Sequence, residues 1–348
     1  MTTSSAITFT TINLLNYLEP PNAYYEFENI YAQDEWQKKQ NWFSHAITAL
    51  DSDVIAFQEV FSPESLRQLV SSLGYDFFEV VDAPKIESDY LFFAPVVAIA
   101  SKYPIKQCQP VTADQNLLQA FELADEFSFN RTPIHATITL PHLQDTDIYV
   151  VHFKSQRGTE TKKDYSGPPH AFTSDDFTPS PTLNQLHEQQ FGSWISTVQR
   201  GYEANLLHRY ISLQRSKTRQ PVVLMGDFNK PLTSDEFKGL LSYQLNRDEE
   251  SQYWLSEFRL RDSWDLYHQV KESDLLEERP ATHYFGGKGS TLDYILMSNE
   301  FDCQHSLSLM EITEYQVVDR HIINPEFERD HFSTDHALVS VTAHVRTG

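Results

Sequence analysis

Three apolar runs in this chain end in the same way. Val54-Ile55-Ala56-Phe57 runs into Gln58-Glu59, Ile148-Tyr149-Val150-Val151 into His152, and Val222-Val223-Leu224-Met225 into Gly226-Asp227. Short apolar runs of this kind, rich in β-branched residues, predict buried strands. The ends of strands are where open α/β sheets bind ligands. A strand also fixes its last residues rigidly, which suits groups that must be placed with precision.

The rest of the chain supplies partners for these strands. Residues 6–15 alternate as a strand does, and a helix is predicted over about 34–50 from Trp36, Phe43, Ile47 and Leu50. Ser62-Pro63-Glu64 reads as a helix start with Ser62 as cap, Leu66, Leu69 and Val70 as apolar face and Gly74 as stop. Further strands are predicted at 75–81, 90–93, 96–101, 132–140, 147–153, 292–297 and 338–344. A long helix is predicted over about 183–213, with Phe191, Trp194, Ile195, Val198 and Tyr202 as its buried stripe. Residues 158–181, rich in Gly, Pro, Ser, Thr and Asp, form a long loop of the kind that is usually functional or mobile. No repeat and no linker divides the 348 residues, so one domain spanning 1–348 is expected, a layered α/β sandwich of sheets and helices.

Charge restricts the partners. The net charge is −22, so any contact with nucleic acid must come from a local patch or a bound metal, while the acidic surface at large serves solubility. Cys108 and Cys303 are too far apart to suggest a metal-ligand spacing or a disulfide framework, which fits a reducing compartment. The N-terminal residues show no secretory pattern, and the longest apolar run, 91–100, is broken by Pro95 and too short for a bilayer. A soluble, cytoplasmic protein is expected.

Taken singly, the polar strand ends have ordinary explanations. Gln-Glu after a strand is a helix cap, Asp227-Phe228-Asn229 an Asx turn, and Ser333-Thr334-Asp335-His336 a loop with a capping acid. Together, acids, Asn and His at separate strand ends make the oxygen-rich set that a hard cation needs.

The order Asn13, Gln58-Glu59, His152, Gly226-Asp227-Phe228-Asn229, Leu292-Asp293-Tyr294-Ile295 and Ser333-Thr334-Asp335-His336 resembles the endonuclease/exonuclease/phosphatase superfamily over nearly the whole chain. That group includes pancreatic-type DNases, abasic-site endonucleases, neutral sphingomyelinases and inositol polyphosphate 5-phosphatases. The resemblance implies a four-layer α/β sandwich of two packed mixed β-sheets flanked by helices, with Mg²⁺ (or Mn²⁺) at one end. It implies Glu59 as main metal ligand, helped by Asn13 and Asp335. Asp227 and Asn229 would orient or activate the attacking water and hold the phosphate. His336 would pair with Asp293, and His152 would serve the phosphate or leaving group. Arg131, in Phe129-Asn130-Arg131-Thr132-Pro133, would touch the phosphate.

The chemistry of the residues agrees. Phosphoryl transfer builds charge on oxygens, which a metal held by Glu59 neutralises. A carboxylate beside His336 favours its imidazolium form. Lys154 and Arg157 would add cations at the same mouth, although loop cations are more often simply solvated. Met225 and Asp293-Tyr294 depart from the 5-phosphatase branch, and no residue clearly matches the glutamate that supports the first histidine in DNases. The expectation is a divalent-metal-dependent phosphodiester hydrolase of DNase-like type acting on nucleic acid. The alternatives are a small phosphate ester or lipid headgroup as substrate, as in sphingomyelinases, and a non-catalytic binding protein on the same fold.

Overall fold

The computed structural model describes residues 5–123, 127–158, 181–241, 254–271, 277–306 and 308–346. Its frame is a pair of six-stranded mixed sheets. In chain order the strands are β1 (Ala6–Tyr17), β2 (Val54–Val60), β3 (Phe77–Glu79), β4 (Val96–Ser101), β5 (Ile105–Pro110), β6 (Ile134–Leu140), β7 (Gln144–His152), β8 (Val222–Asp227), β9 (Arg261–Asp262), β10 (Asp293–Met297), β11 (Met310–Val318) and β12 (Leu338–Val345). One sheet runs β11-β12-β1-β2-β4-β3 and the other β9-β10-β8-β7-β6-β5.

Each sheet has one parallel pair at its centre, β1/β2 in the first and β7/β8 in the second, and its remaining pairs are antiparallel. A parallel pair requires a crossover, which is usually helical. Helix α1 (Gln33–Leu50) lies between β1 and β2 in sequence, and the long helix Pro181–Thr218 between β7 and β8. The consequence for function is direct. In a parallel pair both strands finish at the same edge, so Asn13 lies opposite Gln58, and His152 opposite Asp227.

Side-chain alternation builds the layers. Ile7, Phe9, Val54, Ala56, Val97 and Ile99 meet Ile134, Ala136, Ile148, Val150, Val223, Met225, Ile295 and Met297 between the sheets. The opposite face of the first sheet, with Ile12, Ile55, Phe57 and Ala98, packs on Trp36, Phe43 and Ile47 of α1 and on Leu66 and Val70 of α2 (Pro63–Ser72). The outer face of the second sheet, with Tyr149, Val151, Leu224 and Leu296, packs on Ala204, Leu207 and Ile211 of the long helix. This is the four-layer arrangement expected from the resemblance. Each fully buried Val, Ile, Leu or Phe contributes roughly 1.5–3 kcal/mol, so the inner layer can offset several kcal/mol of cost from the polar residues at its end.

Several local expectations need correction. The long helix does not bury its aromatic stripe: Phe191 and Trp194 are 66% and 63% exposed, and Ile195 and Tyr202 are also exposed. Its buried face carries Gly192, Ser196, Arg200 and Glu203 first and turns apolar only at Ala204, Leu207 and Ile211. Ser62 precedes α2, but its hydroxyl does not cap the helix; it accepts the backbone N–H of Glu19 at 2.8 Å and ties the end of β1 to α2. The run expected at 90–93 is the strand Leu91–Ala94, part of a separate three-stranded sheet with Ala23–Tyr24 and Lys85–Ser88. Neither Lys85–Ser88, β5 nor β11 had a strand expected for it; β5 and β11 are edge strands whose apolar residues are interrupted by polar ones, and sheet edges do not need an apolar run. Residues 159–180 of the expected loop lie outside the described residues. Among the described residues no helix is long and apolar enough to cross a membrane.

Candidate active site

The alternation that fills the inner layer also aims the polar strand ends. Continuing from Ile7 and Phe9 in steps of two reaches Asn13; from Ile148 and Val150, His152; from Val223 and Met225, Asp227; and from Ile295 back along β10, Asp293. All four belong to the face between the sheets, where the apolar layer ends. Asp227 also faces Asp293 across the antiparallel pair β8/β10. Both carboxylates are 1% exposed.

The backbone is specialised where these strands finish. Gly226 has φ +148°, and a Cβ there would sit 2.0 Å from the carbonyl oxygen of Val151 on the neighbouring strand. No side chain can be accommodated at that approach, so the glycine of Gly-Asp-Phe-Asn is required by β7/β8 pairing. Glu59 at φ +62° and Asn229 at φ +58° hold left-handed conformations, which cost non-glycine residues on the order of 1–3 kcal/mol each. Asp227 secures the second of these: its Oδ1 accepts the backbone N–H of Asn229 at 2.7 Å.

A cavity of about 450 Å³ opens at this edge. Glu59, Asp227, Asn229, Asp335, His152 and His336 line it together with Arg131, Lys154 and Arg157. Asn13 and Asp293 stand behind the wall. The Asn13 Nδ2 donates to Asp227 at 3.1 Å and to Glu59 at 3.4 Å, while its Oδ1 accepts the backbone N–H of Leu15. Glu59 is anchored in turn by the backbone N–H of Asn16 at 2.9 Å. The structure therefore brings the expected residues together and turns the Asn13 amide N–H, not its oxygen, toward the carboxylates. Asn229 directs its Nδ2 to the Phe153 carbonyl at 3.0 Å.

The two histidines are in opposite electrostatic states. His336 Nδ1 lies 2.9 Å from Asp293 Oδ2, and its Nε2 is 4.0 Å from Asp227. Burial works against its charged form, but the Asp293 and Asp227 carboxylates outweigh burial and raise it well above its ordinary value. His152 Nε2 is 3.5 Å from Asp227. Burial, and then the nearby charges of Arg131, His336 and Lys154, push it well below its ordinary value, so it is neutral. Burial pushes Asp227 up to about 7, opposed by His336 and assisted by Asp293 and Glu59.

The donor set fits a hard divalent cation. Several carboxylates converge at one cavity, and Asp293 Oδ1 is buried without a hydrogen-bond partner. Among the described residues, two groups of donor atoms lie within 4.8 Å of one another: His283, Asp335 and His336, and Asp227, Asp293 and His336. Both include His336, whose Nδ1 is engaged by Asp293 and whose charged form is favoured; an imidazolium donates and cannot ligate. The oxygens of Glu59, Asp335 and Asp227 are the better donors for such an ion.

Other participants carried no sequence signal. Tyr25, Lys85, Phe93, Asn130 and Ser155 also line the cavity. Thr282 Oγ1 accepts the backbone N–H groups of Leu292 and Asp293 and so sets where β10 begins. Most informative are Arg200 and Glu203, the polar face of the long helix. Glu203 accepts the backbone N–H groups of Asn130 at 2.8 Å and Lys154 at 2.7 Å, and Arg200 donates to the Lys154 carbonyl at 2.7 Å. One buried carboxylate thus locks the two segments that carry Arg131 and Lys154. Glu203→Gln, which keeps only one acceptor oxygen, is expected to raise KM about tenfold, the effect of one impaired charge-assisted hydrogen bond, with a smaller change in kcat. Steady-state kinetics with a thermal melt checks this; a lowered Tm with an unchanged KM would assign Glu203 to stability alone.

Comparison with known proteins agrees with this fold. The sequence model of the Endonuclease/Exonuclease/phosphatase family matches residues 29–336. No curated protein matches the chain by sequence. Among solved structures, the chain is similar to the human Nocturnin catalytic domain with bound sulfate anion, at 15% identity and a TM-score of 0.58, covering 98% of this chain and 95% of that one. It is also similar to ANGEL2, a 2′,3′-cyclic phosphatase, in complex with adenosine-2′,3′-vanadate, at 12% identity and a TM-score of 0.57, covering 98% and 96%. A humanized D. rerio TDP2 aligns at 11% identity and a TM-score of 0.54, covering 98% and 100%. Identities this low carry the fold alone.

Proposed function

The chain belongs to the endonuclease/exonuclease/phosphatase family, whose members are phosphoric ester hydrolases, and from that premise we propose that it hydrolyses phosphodiesters of nucleic acid with the help of Mg²⁺ or Mn²⁺. One observation carries the proposal. In a protein of net charge −22, Lys85, Arg131, Lys154 and Arg157 gather at the same cavity as Glu59, Asp227, Asp335, His152 and His336. Cations that could bind a phosphate thus share one cavity of about 450 Å³ with carboxylates that could bind a metal.

In this reading Glu59 and Asp335 hold the cation, with Asp227 close by. The cation supplies charge neutralisation at the phosphate and makes water more acidic. Arg131, Lys154 and Arg157 hold the non-bridging oxygens, Arg by paired N–H groups and Lys as a point charge. Asp227, with its affinity for a proton raised by burial, accepts the proton of the attacking water, and Asn229 beside it orients that water. His336, kept charged by Asp293, donates to a phosphate oxygen on which charge develops. His152 is neutral and offers a hydrogen bond to the phosphate or leaving group. A small phosphate ester or headgroup is the second reading, favoured by the bounded cavity.

The test is hydrolysis of single-stranded DNA, plasmid DNA and small phosphodiesters by the full chain, with Mg²⁺, with Mn²⁺ and with excess chelator. Turnover that disappears with chelator and returns with either metal is expected. Metal binding by calorimetry without turnover of any phosphodiester would leave a binding protein on the same fold.

A further inference from the structure

Apart from Lys85, the small three-stranded sheet has no part in the chemistry above, yet it forms a wall of the same cavity. Tyr25 follows its first strand, and Phe93 lies on the strand Leu91–Ala94. Both line the cavity, and they keep 38% and 44% of their surface exposed. The backbone N–H of Tyr25 donates to the Phe92 carbonyl at 2.8 Å, which ties the two segments together. The Tyr25 ring stands edge-on to buried Phe61 at 5.7 Å, and Phe61 in turn meets Phe92 at 6.3 Å. The Tyr25 ring is therefore backed by packed rings, and Phe93 is set beside it by the strand Leu91–Ala94. Outside the cavity, next to this sheet, Phe27 and Tyr90 form a second exposed pair with centroids 5.6 Å apart.

We infer that the Tyr25–Phe93 ledge takes an unpaired nucleobase, so that the substrate is a single-stranded nucleic acid or a frayed chain end whose base stacks there while its phosphate lies among Arg131, Lys154 and Arg157. The inference rests on the phosphodiester reading and deepens it. Charge selects the occupant. Aromatic faces also attract quaternary ammonium headgroups, but the four cations of this cavity repel them. An acyl surface would be brought against Glu59, Asp227 and Asp335, which it cannot solvate. A base is flat, uncharged and offers a π-face whatever its identity, and its phosphate satisfies the cations. A base inside a duplex has both faces covered by its neighbours and cannot lie on the ledge. The Phe27–Tyr90 pair extends the same chemistry to a second base further along the strand.

Fluorescence anisotropy with a labelled single-stranded oligonucleotide and an abasic strand of the same backbone, in chelator, reads the inference without requiring turnover. The ordinary strand is expected to bind about tenfold tighter than the abasic one, the scale of one base–aromatic stack. Phe93→Ala should collapse that ratio and Phe93→Trp should restore it. Equal binding of the two strands, a duplex that binds better than the single strand, or displacement of the strand by phosphocholine or phosphatidylcholine vesicles would overturn it. The parent reading fails differently: no phosphodiester would be hydrolysed with either metal, while the preference for a base-bearing strand would remain.

Discussion

Asp227→Asn is expected to lower hydrolysis by about 100- to 10,000-fold, the range for loss of a general base, while leaving the protein folded. The physical reason is that Asp227 is placed at a cost to stability. Its folded value is raised to about 7, from an ordinary carboxylate near 3.8. A group whose proton affinity rises on folding destabilises the fold once the unfolded chain ionises. The penalty is absent below the unfolded value, grows between about pH 4 and 7, and is complete above pH 7. Asn removes the penalty but loses one acceptor for Asn13 Nδ2. In chelator the variant should therefore match the wild type near pH 4 and exceed it by roughly 1–3 kcal/mol at pH 8. Added Mg²⁺ or Mn²⁺ should narrow the difference, because a bound cation stabilises the wild type by mass action. Thermal melts at the two pH values, with single-turnover rates, check both parts. Near-wild-type turnover would remove Asp227 from the mechanism.

Asp293→Asn is the second large effect, expected to slow hydrolysis by about 1,000- to 10,000-fold, as when the carboxylate that orients a catalytic imidazole is lost. Asp293 is buried and 2.9 Å from His336 Nδ1, and it is the largest influence raising that histidine. Without its charge His336 becomes neutral at lower pH, so the alkaline limb of the pH–rate profile should move toward acid. The stability effect has a definite sign. A histidine raised on folding contributes stability that is full below its unfolded value, near 6.5, and is lost as pH rises through the folded value. The variant should therefore be destabilised below pH 6.5, with the deficit fading at alkaline pH. Titration of the His336 ring by NMR, beside the pH–rate profile, tests this; an unmoved His336 titration would show that Asp293 does not hold its charge.

Much of the site was legible in the sequence because strand alternation is a local rule. Once Val150 faces the inner layer, His152 must follow it, and Asp227 follows Met225 by the same step of two. The apolar runs thus determined which polar residues stand at the strand ends and which of them share a face, while the packing of the two sheets decided that this face is the inner one. The Gly226-Asp227 order was legible for a similar reason, although the need for glycine is a tertiary fact, the approach of the Val151 carbonyl on a parallel neighbour.

The long helix marks the limit of that legibility. Its aromatic stripe and its Ser196-Arg200-Glu203 stripe are both helical in period, and hydrophobicity favours burying the first. The fold buries the second, because the backbone N–H groups of Asn130 and Lys154 and the Lys154 carbonyl meet that face and would be left unpaired against aromatic rings. An unpaired buried polar group costs about 1–3 kcal/mol, comparable with the burial gain of one large side chain. Periodicity shows that a helix has faces; only the groups brought opposite it by the rest of the chain decide which face is covered. The same holds for Lys85, Tyr25 and Phe93, which lie outside the apolar runs and reach the cavity because a separate small sheet is packed beside it. The sequence by itself determined the strand ends, the acids and imidazoles aligned on them, and with these the reaction class. Tertiary structure alone decided what surrounds them: the helix face that holds the segments of Arg131 and Lys154, and the aromatic side chains of the small sheet on the cavity wall.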